Sequence, residues 1–528
     1  MSKVVIVGSG MAGLTAAAYL ARAGIDVLLI EKNIDCGGLV SCLNVKGFTF
    51  DLGAKSIENA GIIKPMLKDL GIELELVKSP VSIGIEKEII DFDSEDKLND
   101  YQKLLEGLYP ESKKDIVKIM DFSKKIFKDM EVLYGIDNPY FKDFINDKAF
   151  MIKLLPWLFK FFMTSARINK LKEPVESFLK KMSNNKSLVD IITQHFFKST
   201  PTFFALGYFY VYMDYLYPKG GTMELAKIIE KKIISEGGKI LKNTKIIEVD
   251  AYSKKLLDSK GNYYDYDELI WAADLKTLYS IVNVSKLNKN DAFKISKQKE
   301  KLFSKRGGDS VFTLMLGVNS PVEKFRKISN PHFFYTPKKK GLGENRFSKI
   351  KELVNNFGSV SKKDIFKWLD DYLKLNTYEI SIPAIRDASL APKGKTGLII
   401  SFLFDYDLIK KVFDAGWYQE FIEGVKERVI KIFEGSIYPG LSEKVLFSYY
   451  STPINISKIA GTSEGGITGW SFEDSSPVVN NLMKMPDSIK TPIPNVLQAG
   501  QWAYSPAGIP TCILTGWIAA QEIIKKNN

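Results

Sequence analysis

The sequence predicts an α/β protein of at least two domains, one of them wound on a parallel sheet. Two local patterns and the chain length predict it. Residues 4–7 (VVIV) and 27–30 (VLLI) are short apolar runs without charge. Between them, Gly8-Ser9-Gly10-Met11-Ala12-Gly13 turns directly into an alanine-rich helical pattern that stops near Gly24. The chain has 528 residues, beyond the ~250–300 at which a single hydrophobic core stops growing.

Each part of this N-terminal unit has a physical reason. A run of apolar residues with no polar alternation suits a strand covered on both faces. Gly8 permits the tight turn, Gly10 lets the backbone approach a pyrophosphate, and Gly13 lets the helix pack close to the strand. The helix N-terminus offers free N–H groups and a positive dipole end to phosphates. Gly24 suits a left-handed cap. Glu31 ends the second strand and can accept both hydroxyls of an adenosine ribose. Lys32 follows it, either near the adenine or solvated. Together these make a complete βαβ dinucleotide fingerprint, which a glycine-rich turn in an unrelated fold explains less well.

The next residues discriminate between dinucleotides. A nicotinamide domain would continue into another plain βα unit. Here Cys36-Gly37-Gly38 precedes KGFTFDLGA at 46–54, a double glycine followed by a hydrophobic hairpin. The pattern resembles the start of the two-domain FAD enzymes that include amine oxidases, phytoene desaturases, carotenoid isomerase and retinol saturase. Two further segments carry the resemblance. YPKGGTMELAKII at 217–229 leads to GGKILKNTKIIEVD at 237–250, and the C-terminus reads NVLQAGQWAYSPAGIPTCILTGWIAAQEI at 495–523. The likeness to the phytoene desaturase and retinol saturase branch runs end to end and is thin only between about residues 95 and 200.

This resemblance implies FAD as cofactor, held in a Rossmann-like, glutathione-reductase-type fold beside a mixed α+β substrate domain. The FAD-binding domain is expected at 1–75, 215–285 and 490–528, and the substrate domain at 76–214 and 286–489. Gly37 and Gly38 are expected at the cofactor, and the backbone of Ile246 against the adenine. Gly500, Gly508 and Ile509 are expected to close the flavin site, with Pro510 in the first turn of a final helix. The family usually has Arg after the double glycine. Leu39 stands there in this chain, so that contact is not carried over.

Composition excludes several classes. No run of 18 apolar residues is free of charge, so no spanning helix is expected. The first strand is expected to begin by Lys3 or Val4, so no signal peptide is expected. Three cysteines without CxxC spacing argue against a disulfide framework or a metal site and for a reducing cytoplasm. Cys36 reads as a small filler residue. The net charge of +12 is nearly all lysine and comes with no nucleic-acid motif. No nucleic-acid partner is expected. The excess favours an anionic membrane surface, at roughly 1 kcal/mol per basic residue held close to it. The expected setting is cytoplasmic or peripheral on the inner face of the membrane, with the oligomeric state open.

The middle of the chain carries the substrate clues. Residues 152–163 are almost all apolar or basic, with Lys153, Trp157 and Lys160. They read as a core helix or as an interfacial anchor. Residues 203–217, FFALGYFYVYMDYLY, read as packed core, as the wall of an apolar tunnel, or as both. Residues 310–318 and 397–404 read as buried strands, and 336–352 as an exposed loop. Asp214, among Tyr212, Met213, Tyr215 and Leu216, is a weak acid/base candidate whose pKa burial would raise, or else a partner of Lys219. Tyr208, Tyr210 and Tyr212 are unranked proton donors. The two histidines, His195 and His332, read as structural. The expected activity is FAD-dependent desaturation, saturation or isomerisation of carbon–carbon bonds in a long apolar isoprenoid, carotenoid or retinoid. An unsaturated fatty-acid isomerase or reductase, an amine oxidase and a non-catalytic flavin or lipid carrier are the alternatives.

Overall fold

The computed structural model describes residues 3–142 and 148–527. Segments far apart in sequence build one parallel sheet. Its strands run in the spatial order Lys239–Leu241, Asp26–Ile30, Lys3–Val7, Glu268–Trp271 and Val496–Gln498. The first strand is buried because both of its faces are used, as alternation along a strand requires. Val4 and Ile6 pack with Leu14, Leu225 and Ile513 from three helices, Met11–Arg22, Met223–Ser235 and Ile509–Asn527. Val5 and Val7 pack on the opposite face with Val249, Leu256 and Leu275.

Two glycines allow the helices to sit this close. A Cβ on Gly13 would stand 1.9 Å from the Gly8 carbonyl oxygen, and one on Gly516 would stand 2.2 Å from that of Ala12. The first helix therefore lies on the glycine turn, and the C-terminal helix lies on the first helix.

A second sheet has seven strands. Its centre is the antiparallel pair Ser310–Val318 and Thr396–Phe404, in register from Ser310↔Phe404 to Val318↔Thr396. These are the two buried strands expected from their apolar runs. Tyr378–Ser381, His332–Thr336, Val81–Ile85 and Glu88–Phe92 extend the sheet on one side, and Val445–Ser451 on the other. Helices that include Lys97–Leu108, Lys113–Tyr134 and Thr202–Val211 form a third body of core. A small sheet of Ile57–Glu58, Tyr215–Pro218 and Leu76–Lys78 stands where the chain crosses between the halves.

Packing corrects two expectations. The helix Lys289–Phe303 buries Ile295 and Leu302 with Val5 and Trp271, and Trp470 and Ile493 join the same core. Met485 and Ile489 pack with the first helix. Both ends of the 286–489 segment thus pack with the nucleotide side rather than the substrate side. Residues 336–352 are not a plain exposed loop. They hold the helix that begins at Ser348 and bury Leu342 and Ile350, and the Arg346 guanidinium donates to the Phe196 carbonyl at 2.5 Å.

The contact at Gly516 sets a measurable cost. Gly516→Leu is expected to lower stability by about 1–3 kcal/mol or more through overpacking against Ala12. Denaturant unfolding of the purified variant reads this as a lower midpoint at unchanged slope.

Candidate active site

A single cavity of about 1450 Å³ runs from the glycine turn to the aromatic segment. It exceeds the ~300–1,000 Å³ of an ordinary ligand pocket. At one end lie Gly8, Gly10, Glu31, Lys32, Gly37, Gly38, Ile246 and Gly500. At the other lie Phe203, Tyr208, Tyr212, His332 and Phe334.

The three glycines of the turn do different work. Gly8 has φ +99°, and a Cβ there would meet the Ala272 carbonyl oxygen at 2.8 Å. Gly10 has nothing within 4 Å of where its Cβ would be. The fold itself does not need glycine at position 10; a group lying against the backbone does. The double glycine braces the turn, since the Gly37 N–H donates to the Ser9 carbonyl at 2.9 Å.

Glu31 is buried and already accepts three hydrogen bonds. The Ser9 N–H reaches Oε2 at 2.9 Å, the Ser9 hydroxyl at 2.7 Å, and the Asn33 N–H reaches Oε1 at 2.9 Å. An ionised carboxylate has about four acceptor positions, so capacity remains for a ribose hydroxyl. Lys32 is half-buried. Its Nζ donates to the Lys458 carbonyl at 3.2 Å, and burial lowers its pKa. Ile246 is buried at the start of its strand and lines the cavity. The Gly500 N–H donates to Thr515 Oγ1 at 2.9 Å, and that of Gly508 to Thr511 Oγ1 at 2.8 Å. Gly508 and Ile509 bring the N-terminus of the final helix to the cavity. Leu39 lines the cavity where the family's Arg would stand. Cys36 is buried, and burial pushes its thiol up to about 11, so it is inert filler.

The substrate half holds groups that the sequence reading missed. A Cβ on Gly508 would lie 2.8 Å from Glu58 Oε1, so this carboxyl sits against the start of the final helix. Burial pushes Glu58 up to about 7, its own backbone N–H pulls the other way, and the Asp214 charge adds to the rise. Asp214 is raised too, by burial, although its Oδ2 accepts the Ala60 N–H at 2.6 Å. That bond fixes the loop that carries Glu58, and Asp214 makes no ion pair with Lys219, which binds Glu75. Across the cavity, Lys55 Nζ lies 2.9 Å from Glu379 Oε2. Burial alone would raise Glu379, but the Lys55 charge and His332 pull it down to about 2. His332 is lowered by burial, and burial pushes His195 to about 3. The His195 imidazole is therefore neutral at physiological pH.

The aromatic segment serves as packing and wall together. Phe209 is buried in the helical core, Tyr212 is buried there and also borders the cavity, and Phe203, Phe204, Tyr208 and Tyr210 line it. Tyr212 stacks on Phe334 at 4.7 Å. The helix Lys148–Ile168 turns Trp157 inward, its indole N–H donating to the Val132 carbonyl at 2.6 Å. Trp157, Leu158 and Phe161 line the cavity. Its outward face is Ile152, Leu155, Phe159 and Met163, which are 75, 65, 71 and 56 % exposed. Trp157 and Phe161 thus belong to the inner face, not to an anchor.

A parallel sheet with a glycine turn and an acid at the end of the next strand, beside a second, mixed sheet, define a dinucleotide-binding fold. The chain belongs to the flavin containing amine oxidoreductase family, whose model matches residues 11–353. It is 22% identical over 554 residues to a 4,4'-diapophytoene desaturase (4,4'-diaponeurosporene-forming) of Staphylococcus aureus strain COL, covering 99% of each chain. It is 22% identical over 561 residues to an inactive all-trans-retinol 13,14-reductase of Danio rerio, covering 99% of this chain and 86% of that one. An oxidoreductase of Methanosarcina mazei has the same fold, with a TM-score of 0.64 at 16% identity over 98% of this chain and 100% of that one. The resemblance to the phytoene desaturase and retinol saturase branch holds along the whole chain, and FAD is the cofactor. The open face at Gly10, the spare acceptor capacity of Glu31 and the length of the cavity fit it.

Two outcomes follow from this geometry. Gly10→Val is expected to abolish FAD binding while leaving the fold intact, because its side chain meets only the space a pyrophosphate needs. Flavin absorbance after reconstitution, with circular dichroism of the same sample, checks both halves. Glu58 holds its proton more tightly when folded, so its contribution is present below pH 4.5 and lost as pH rises through about 7. Glu58→Gln should flatten the decline in stability across that window, read from denaturant midpoints at successive pH values.

Proposed function

We propose that this chain is an FAD-dependent oxidoreductase acting on carbon–carbon bonds of a long apolar isoprenoid of carotenoid or retinoid type. The observation that carries the reading is the continuity of the cofactor cleft with an aromatic cavity. The names of the two relatives, a desaturase and a retinol reductase, support the same substrate class. Bound FAD supplies the exchange of electrons that such chemistry needs. The chain supplies a water-poor wall of Phe203, Phe204, Phe334 and Tyr208, and a group that can hold or release a proton. Glu58 is the better candidate for that role than Asp214, because a carboxyl poised near 7 exchanges protons at working pH.

The proposal includes a lipid surface as the source of the substrate. The helix Lys148–Ile168 supports this with two apolar faces, one on the cavity and one in solvent. Lys153 and Lys160 are exposed on the same helix. Among the described residues, no helix is long and apolar enough to cross a membrane. Docking would instead bury the outward face by about 5–10 Å.

Two measurements test the proposal. The protein should co-sediment with anionic vesicles at low salt, and Ile152→Glu with Phe159→Glu should release it with FAD still bound. Under anaerobic conditions a C20 or longer isoprenoid should change the redox state of the flavin, and small polar amines should not. Faster reduction by amines than by isoprenoids would give the site to amine oxidation instead.

A further inference from the structure

One wall of the cavity is charged, which a purely hydrocarbon ligand does not explain. The Lys55 side chain is 4% exposed, and its Nζ lies 2.9 Å from Glu379 Oε2. His332 Nε2 lies 3.1 Å from Glu379 Oε1, yet it is shielded from solvent and has no aligned hydrogen bond. The other ring nitrogen of His332 is 2.9 Å from Ser56 Oγ. Lys55, Ser56, His332 and Glu379 all line the cavity, next to Phe334 and Tyr215. Glu379 is 30% exposed, so the pair is only partly buried; such a pair adds little stability over apolar residues of the same shape, and its place on this wall calls for another reason.

Counting donors and acceptors supplies one. An ammonium has three donors. Lys55 uses one on Glu379 and one on the Gly53 carbonyl at 3.3 Å. One donor is left. An ionised carboxylate has about four acceptor positions, and Lys55 and His332 approach one on each oxygen of Glu379. A free donor and a free acceptor therefore stand side by side at the cavity wall. A hydroxyl donates and accepts, and satisfies both. A carboxylate would satisfy Lys55 but set a second anion beside Glu379 and leave the free acceptor unused. A carbonyl would satisfy Lys55 alone, and a hydrocarbon would satisfy neither.

We infer that Lys55, Glu379 and His332 form a hydroxyl-binding subsite, so that the substrate is an isoprenoid alcohol held by its oxygen, with its chain along the aromatic wall. The inference rests on the isoprenoid reading above and narrows it. It also sets a direction in the cavity, since one end of the substrate is fixed and the distance along the chain selects the bond presented to the flavin.

The test uses the full-length FAD-loaded protein and tryptophan fluorescence quenching. Three C20 probes in the same neutral detergent are compared: geranylgeraniol, geranylgeranoic acid, and the C20 hydrocarbon of the same branching without oxygen. The alcohol is expected to bind about 10- to 100-fold more tightly than the hydrocarbon, the range of a hydrogen bond to a charged partner. In the double variant Lys55→Met with Glu379→Leu that ratio should collapse toward one while hydrocarbon affinity is retained. Both charges are removed together because a lone buried charge would itself destabilise the protein. Equal binding of alcohol and hydrocarbon by the native protein overturns the subsite and leaves the apolar reading standing. So does tightest binding of the acid, or a ratio that survives in the variant. If none of the three probes binds, the isoprenoid reading falls and the subsite with it. Should the double variant fail to fold, the native ratio alone decides.

Discussion

The backbone around Gly8, Gly10 and Gly13 is the constraint on which the rest depends. Side chains are excluded at Gly8 and Gly13 by protein, where a Cβ would press on Ala272 and on Gly8 itself. At Gly10 the space is clear. The sheet, the first helix and the double glycine at 37–38 all close on this turn, and Glu31 ties it down through Ser9. The C-terminal helix then docks on the first helix at Gly516 and Ala12. One end of the cavity is thus rigid and preformed, as positioning a reactive ring requires.

The other end shows how one residue type takes opposite states. Glu58 and Glu379 are both partly buried in the cavity wall. Glu58 lies among Tyr134, Tyr208, Tyr215 and Cys512 with Asp214 as its acidic neighbour, and no cation among the described residues acts on it. It is pushed up to about 7. Glu379 faces Lys55 and is held down near 2. Burial acts alike on both, so the neighbouring charge decides the sign. The result is a carboxyl suited to exchanging a proton on one wall and a permanent ion pair on the other.

Between the two ends, the helix Lys148–Ile168 joins inside and outside. Its inner residues Trp157, Leu158 and Phe161 line the cavity, and its outer residues Ile152, Leu155 and Phe159 meet solvent. A helix apolar on both faces is ordinary in a core. Here only one face is covered, and the other is left in solvent.

The sequence by itself determined the parts in which neighbours along the chain do the work. The strand, glycine turn, helix, strand and acid of residues 3–31 are local, and their spacing was enough. The strands Ser310–Val318 and Thr396–Phe404 were legible because a long apolar run can only be buried. The C-terminal segment was legible through its likeness to known enzymes. Only the tertiary structure decided which charges meet. Lys55, His332 and Glu379 come from separate regions of the chain and share a wall because a loop packs on a distant sheet. Glu58 gained its state from helices and strands that fold over it, and no local pattern records desolvation. The outward face of the helix Lys148–Ile168 was also undetermined, since apolar residues occur all round it and periodicity cannot choose a side. The core shared by Ile295 and Leu302 with Val5 was hidden for a related reason. The few apolar residues of a polar helix do not say which of them are buried or which sheet they cover.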